Sequence, residues 1–177
     1  MELDATTLTV GVTQDYQVVR PLGRGANSCV YHVKSLHTQQ DYALKIVDKA
    51  KLTPPLVHRL CTELEIQSSL DHPCIVKLFH YFQDDDAVYL LLELCEGGDL
   101  HRHVLQAPYS ERDTKHLVGQ LVEGLAYLHA QGVLHRDIKL GNLPLECTYH
   151  FLTNAKWVSA NSLAMCEGST ANFLLDI

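Results

Sequence analysis

Val133-Leu-His-Arg-Asp-Ile-Lys-Leu-Gly-Asn142 is the stretch on which the reading of this 177-residue chain turns. It sets histidine, arginine, aspartate, lysine and asparagine at fixed offsets, H-R-D-x-K-x-x-N, directly after a long helical pattern. The pattern is met at every defined position, which makes this the strongest candidate in the chain for a loop that carries chemistry. The bland alternative is a charged surface loop, and the choice between the two rests on what precedes it.

Immediately upstream, Ser110-x-x-Asp113 is a capping box. It opens a helix whose Leu117, Leu121, Leu125 and Leu128 form one stripe and which Gly132 ends. Further back, Ile75 to Phe82 and Ala87 to Leu94 are apolar runs joined by Gln83-Asp-Asp-Asp86, a hairpin signal. Between Pro54 and Leu70 the apolar period is helical, with Leu56, Leu60, Leu64 and Val57, Cys61 at four-residue steps. Before that, Tyr16–Leu22, Cys29–Ser35 and Asp41–Val47 are short β-branched or aromatic runs that predict an antiparallel meander. The expectation is a five-stranded antiparallel sheet with one main helix, followed by a helical segment: an α+β fold. Residues 1–13 show no sustained period and are expected to form a flexible arm.

Two features of the sheet region carry chemistry. The hairpin Leu22-Gly-Arg-Gly-Ala-Asn-Ser28, leading to Val30, has small residues that let backbone N–H groups approach phosphate oxygens. Alone it reads as a turn, and Ser28 stands where a third glycine would complete G-x-G-x-x-G. Tyr42-Ala-Leu-Lys45 sets a lysine inside an apolar strand, where an ammonium requires a carboxylate or phosphate. On the next helix Glu63 lies three residues after Leu60 and seven before Leu70, at the edge of the apolar face, and Glu65 falls on the polar side. Glu63 is therefore the expected inward carboxylate.

Composition excludes several classes. With 46% apolar and 20% charged residues the chain is globular, and Lys+Arg 14 against Asp+Glu 21 gives a net charge of -7 with no clustered basic surface for nucleic acid or anionic lipid. The longest apolar run, Ala87 to Leu92, is too short to span a bilayer, and the first ten residues lack a signal-peptide pattern. Six dispersed cysteines without C-x-x-C read as free thiols of a reducing cytosol or nucleus. The eleven histidines show no metal-binding spacing, and His101 and His103 are expected to be solvated.

Taken in order, glycine hairpin, strand lysine, helix glutamate and H-R-D-x-K-x-x-N resemble the eukaryotic protein kinases, and Lys139 resembles the serine/threonine branch. Leu92-Glu-Leu-Cys95, His72-Pro73 and Lys139-Leu-Gly-Asn142 are most similar to polo-like kinases. The resemblance spans about Asp15 to Asn142. It implies a kinase N-terminal lobe over 14–95, a hinge, opening helices and catalytic loop over 96–142, and an atypical tail over 143–177, so that the helical C-terminal lobe is truncated. It also implies ATP and Mg²⁺ as cofactors and a protein Ser/Thr hydroxyl as substrate. Cytoplasm follows from the thiols and the absent targeting segment, and the polo-like likeness adds the centrosome.

Residue by residue, the resemblance gives Leu22, Gly23, Arg24, Gly25, Ala26, Asn27 and Ser28 to the phosphate cover and Val30 and Ala43 to adenine. Lys45 with Glu63 goes to the α- and β-phosphates, Leu92 to the gatekeeper place, and Glu93 and Cys95 to the adenine hinge. Asp137 is the acceptor of the substrate proton, Lys139 the stabiliser of the transferred group and Asn142 the Mg²⁺ ligand. No Asp-Phe-Gly follows Asn142; Asp176 is the one later aspartate, and Pro144 stands where an apolar strand residue is expected. The alternative is accordingly a catalytically deficient nucleotide-binding or interaction module. From Pro144 onward the tail is expected to be poorly ordered, leaving the leucine stripe of the long helix as an exposed apolar surface prone to self-association. A tail foreign to the fold, in a chain that does not fold stably, is the third reading.

Overall fold

The computed structural model describes residues 15–148, 151–155 and 164–165, with side chains to residue 145. These form two compact units, the first running to Leu52 and resuming over Leu78–Leu94, the second comprising Thr53–Lys77 and the chain from Cys95.

The first unit is a five-stranded antiparallel sheet of β1 (Tyr16–Arg24), β2 (Ser28–Ser35), β3 (Asp41–Asp48), β4 (Leu78–Gln83) and β5 (Ala87–Leu92), in the order β1-β2-β3-β5-β4. Alternation gives each strand two faces. One face gathers Cys29, Tyr31, Val33, Leu44, Ile46, Ala87, Tyr89 and Leu91 into a core, with Tyr16, Val18, Tyr42 and Phe82 packed against it. The Gln83–Asp86 turn is organised by one residue: the Asp84 carboxylate accepts from the Asp86 and Ala87 amides at 2.9 and 2.8 Å and from the Tyr89 hydroxyl at 2.8 Å. This is the Asx-type turn that makes aspartate favourable between strands.

The second unit holds all three described α-helices, α1 (Pro54–Ser69), α2 (Leu100–Gln106) and α3 (Glu111–Ala130), together with the short β6 (Val133–Leu134), β7 (Leu145–Thr148), β8 (Phe151–Ala155) and β9 (Ala164–Met165). The Ser110 hydroxyl accepts from the Asp113 amide at 3.1 Å and donates to its carboxylate at 2.6 Å, so the expected capping box starts α3. Beyond its end Gly132 adopts φ +72°, the left-handed conformation that glycine reaches without a Cβ clash. Ile66, Leu70, Ile75, Leu100, Leu117, Leu128, Val133, Leu143 and Leu145 form the core.

Several expectations are corrected. The first hairpin strand begins at Leu78, not Ile75, because Ile75 packs in the second unit's core. Its partner strand ends at Leu92, not Leu94. Helix α2 falls among the opening helices that the resemblance implies, although no apolar period announces it; Asp99 caps it by accepting from the Arg102 amide at 2.9 Å. His103 is hydrogen-bonded to the Gly97 carbonyl rather than simply solvated. The α3 stripe is covered: Leu117 and Leu128 are buried, and Leu121 and Leu125 pack against the same core.

The start of the tail is likewise built in. Pro144 bridges to Asp99, and Leu145 exchanges backbone bonds with Gly97 and Gly98, both at 2.8 Å. Proline's missing donor costs nothing because the amide of Leu145 makes the bond. The arm over 1–13 and the tail side chains beyond Leu145 lie outside the described residues. Among the described residues no helix is long and apolar enough to cross a membrane.

Candidate active site

Two devices gather the predicted residues, one in each unit. In the first unit the device is strand register. Gly23 pairs with Val30, Val30 with Lys45, Lys45 with Leu90, His32 with Ala43, and Ala43 with Leu92. Directly opposed residues of an antiparallel ladder share a face. Gly23, Val30, Ala43, Lys45 and Leu92 therefore line the side of the sheet opposite the aromatic and aliphatic core. Lys45 is only 9% exposed, the burial expected of a strand lysine that needs a partner. On the same face the Asp41 carboxylate is held below its ordinary pKa by the Lys34 ammonium at 2.8 Å and by His32 at 2.7 Å.

The glycine hairpin is tight and tied to the sheet. The Gly25 amide donates to the Ser28 carbonyl at 2.8 Å, and the Asp48 amide donates to Asn27 at 3.1 Å. A Cβ at Gly25 would stand 3.3 Å from the Ser28 hydroxyl, so the turn is closest with glycine there, and space over Gly23 is open to 4 Å. Leu22, Asn27 and Ser28 are half-buried; Arg24, Gly25 and Ala26 are exposed. Glu93, half-buried, is the last residue but one of the first unit, and Cys95, also half-buried, begins the later segment of the second unit.

In the second unit the device is a turn. Arg136 takes φ +62°, rare for a side-chain-bearing residue and the kind of conformation that clusters at functional sites. That reversal lets the Asp137 amide donate back to the carbonyl of His135 at 2.9 Å and to its Nδ1 at 3.2 Å. The 3₁₀ turn Leu140–Asn142 then returns the chain. Lys139 Nζ donates to Asp137 Oδ2 at 2.7 Å, and Asn142 Nδ2 donates to the same oxygen at 2.8 Å and to the Asp137 carbonyl at 2.9 Å. Those two contacts, the lysine's first, hold the Asp137 carboxyl below its ordinary range. Burial pushes the His135 imidazole down, with Asp137 opposing and Lys139 assisting.

Glu63 is 5% exposed whereas Glu65 is half-buried, the phase that helical spacing gives. Sequence reading does not single out Gln67 or Tyr127. Gln67 Nε2 donates to the Val76 carbonyl at 3.2 Å, and Tyr127 accepts from the Asp71 amide at 2.9 Å while stacking on His72. Both contacts are long-range, and the only sequence signal near them is His72-Pro73.

Asn142 spends its amide nitrogen on Asp137, leaving its side-chain oxygen as a ligand for a hard cation. Magnesium, which keeps most of its waters, suits such a sparse donor set. Among the described residues no group of three or more His, Cys, Asp or Glu could hold a metal unaided.

Residues 16–152 match the family model described as the protein kinase domain. The chain is 35% identical over 171 residues to the serine/threonine-protein kinase PLK4 of Danio rerio, covering 91% of this chain and 18% of that protein. It is 37% identical over 171 residues to PLK4 of Drosophila melanogaster, covering 91% and 22%. Against PLK4 of Nematostella vectensis it is 42% identical over 136 residues, covering 75% and 14%. The chain thus spans between 14% and 22% of the length of these relatives. With a match over residues 16–152, more than three quarters of its length, the chain belongs to the protein kinase family.

Proposed function

We propose that this chain binds ATP with Mg²⁺ and directs the γ-phosphoryl group to a Ser or Thr hydroxyl of a protein. The observation that carries the reading is the turn in which Lys139 and Asn142 converge on one oxygen of Asp137 at 2.7 and 2.8 Å. Leu22 to Ser28 cover the phosphates, Val30 and Ala43 face adenine, and Glu93 and Cys95 bond its edge through their backbones. Lys45 takes the α- and β-phosphates, with Glu63 as the compensating carboxylate of the family pattern. Mg²⁺, with Asn142 as one ligand, supplies charge neutralisation on the phosphates.

In the transfer the substrate hydroxyl oxygen bonds to the γ-phosphorus as the bond to the β–γ bridging oxygen breaks, releasing ADP. The hydroxyl proton passes to Asp137. A carboxylate held below its ordinary pKa is a weak base, so Asp137 contributes mainly by orienting the hydroxyl. Lys139 is released from Asp137 to meet the transferred group. The sequence likeness to polo-like kinases and the dispersed thiols favour a protein substrate of the cytoplasm or centrosome. In chain order the lobes of this reading are 14–95 and 96–142.

One sequence observation favours the alternative, a nucleotide-binding module of low phosphotransfer: after Asn142 the only aspartate is Asp176, and it is not in Asp-Phe-Gly. The principal Mg²⁺ carboxylate of the family pattern is then missing, and a loss of about 4 kcal/mol in transition-state stabilisation slows transfer about a thousandfold. Calorimetry with ATP and ADP, with and without Mg²⁺, tests binding. The expected result is heat that Lys45→Met abolishes, and no heat from the folded chain overturns the reading. Labelled phosphate incorporated into casein and lost in Asp137→Asn decides for the kinase, whereas binding without incorporation decides for the module.

A further inference from the structure

Two glycines follow Cys95 and Glu96, and they leave the backbone there without the restraint of a Cβ. Gly98 takes φ +74°, a conformation that side-chain-bearing residues reach only with strain. A Gly-Gly peptide left to itself rotates readily, yet here four successive peptide units are each held by a hydrogen bond. The Gly97 amide donates to the Leu145 carbonyl at 2.8 Å, the Leu145 amide donates to the Gly98 carbonyl at 2.8 Å, and the Leu100 amide donates to the Leu143 carbonyl at 2.9 Å. The remaining unit, between Gly97 and Gly98, is held by a side chain: His103 Nε2 bonds the Gly97 carbonyl. A carbonyl only accepts, so His103 Nε2 carries the hydrogen.

The sequence places that ring with little else to do. Leu100 is the one buried residue of α2, and His103, three residues on, lies half-buried on the same face. A seven-residue helix with one buried side chain is marginal by itself, and α2 rests on its Asp99 cap and on packing against the 3₁₀ turn Leu140–Asn142. A leucine or phenylalanine at 103 would add more apolar burial than an imidazole does. What histidine adds is the ring N–H, and that N–H goes to the Gly97 carbonyl. Apolar contact is non-directional, whereas an N–H···O bond fixes the plane of the peptide it holds.

We infer that His103 is a positioning residue for the adenine edge: by holding the Gly97 carbonyl it fixes the turn out of which Cys95, two residues earlier, presents its backbone to the base. The inference rests on Cys95 serving the nucleotide site.

The test is calorimetric titration of the whole chain with ATP and, separately, with tripolyphosphate, both with Mg²⁺, in wild type, His103→Phe and His103→Gln. His103→Phe keeps a flat ring and removes the donor. It is expected to weaken ATP binding about fivefold, the scale of one neutral hydrogen bond, while tripolyphosphate, which has no base, binds within about twofold of wild type. His103→Gln, whose side-chain N–H has similar reach, should bind ATP within about twofold of wild type. If the wild-type chain binds ATP no better than tripolyphosphate, the adenine reading fails and this inference with it. If wild type prefers ATP but His103→Phe leaves that preference unchanged, the positioning role is overturned and the site reading stands. Equal weakening of both ligands in His103→Phe, a His103→Phe protein without helical dichroism, or a folded His103→Gln protein that binds ATP more than about fivefold weaker overturns the positioning role as well.

Discussion

Leu145→Ala is the sharpest probe of whether the segment after the Asp137 turn belongs to the fold. Leu145 is 0% exposed, and with Leu143 it sits in the second unit's core beside Leu100, Leu117 and Leu128. Its amide and carbonyl bond Gly98 and Gly97, and an alanine keeps both bonds, so the substitution removes side-chain volume and little else. Truncating a fully buried leucine costs about 2–5 kcal/mol, the lost transfer energy plus the cavity left behind. At about 2 kcal/mol per molar urea, a loss near 3 kcal/mol moves the unfolding midpoint down by about 1.5 M. Far-ultraviolet dichroism of the helices reads this unit selectively, because all three described α-helices lie in it. Val122→Ala is the control: Val122 is 57% exposed on α3, and its truncation should change stability by no more than about 0.5 kcal/mol. A Leu145→Ala midpoint indistinguishable from that of Val122→Ala would refute the reasoning and detach the tail from the core.

Other outcomes follow from the site. The His135 pKa is pushed down, chiefly by burial, so below about pH 6.5 the unfolded chain binds a proton that the folded chain does not, and stability present above that pH is lost as pH falls. The melting temperature should therefore drop between pH 7.5 and 5.5, and His135→Asn should flatten that slope. Lys139→Met should raise the Asp137 carboxyl toward its ordinary range, and Asn142→Ala should raise it less, both followed by carboxyl-carbon NMR titration. Glu63→Gln should weaken ATP binding in calorimetry while Glu65→Gln leaves it within about twofold, since only the former is buried.

Much of this was legible in the sequence, for reasons the misses make plain. Strand and helix edges fall within a residue or two of expectation wherever an apolar run serves one core, as in β2 and β3. Ile75 to Phe82 reads as one strand but is divided: Ile75 joins the core with Leu117 and Leu128, and β4 begins only at Leu78. Helix α2 is seven residues with only Leu100 buried, too short and too exposed to print a period. The leucine stripe of α3 was readable but not its cover, which comes in part from Leu143 and Leu145, residues that follow the Asp137 turn. The Asp137 turn was readable because its partners lie within five residues. The Gln67–Val76 and Tyr127–Asp71 bonds join segments that no spacing rule connects.

The two gathering devices imply that substitutions sort by consequence. On the sheet, Gly23, Val30, Ala43 and Lys45 are brought to one face by the pairing of three strands, so a one-residue register shift in any of them turns that strand's members away from the rest. In the turn, Asp137, Lys139 and Asn142 meet through bonds closed within a few residues, so the loop can keep its shape while the sheet is altered. Register damage should therefore abolish nucleotide binding as a whole, whereas Asp137→Asn should leave binding near its original level and remove the transfer step alone. A chain that retained binding after a register-shifting insertion in β3 would show that the face, for all its alignment, is not what holds the nucleotide.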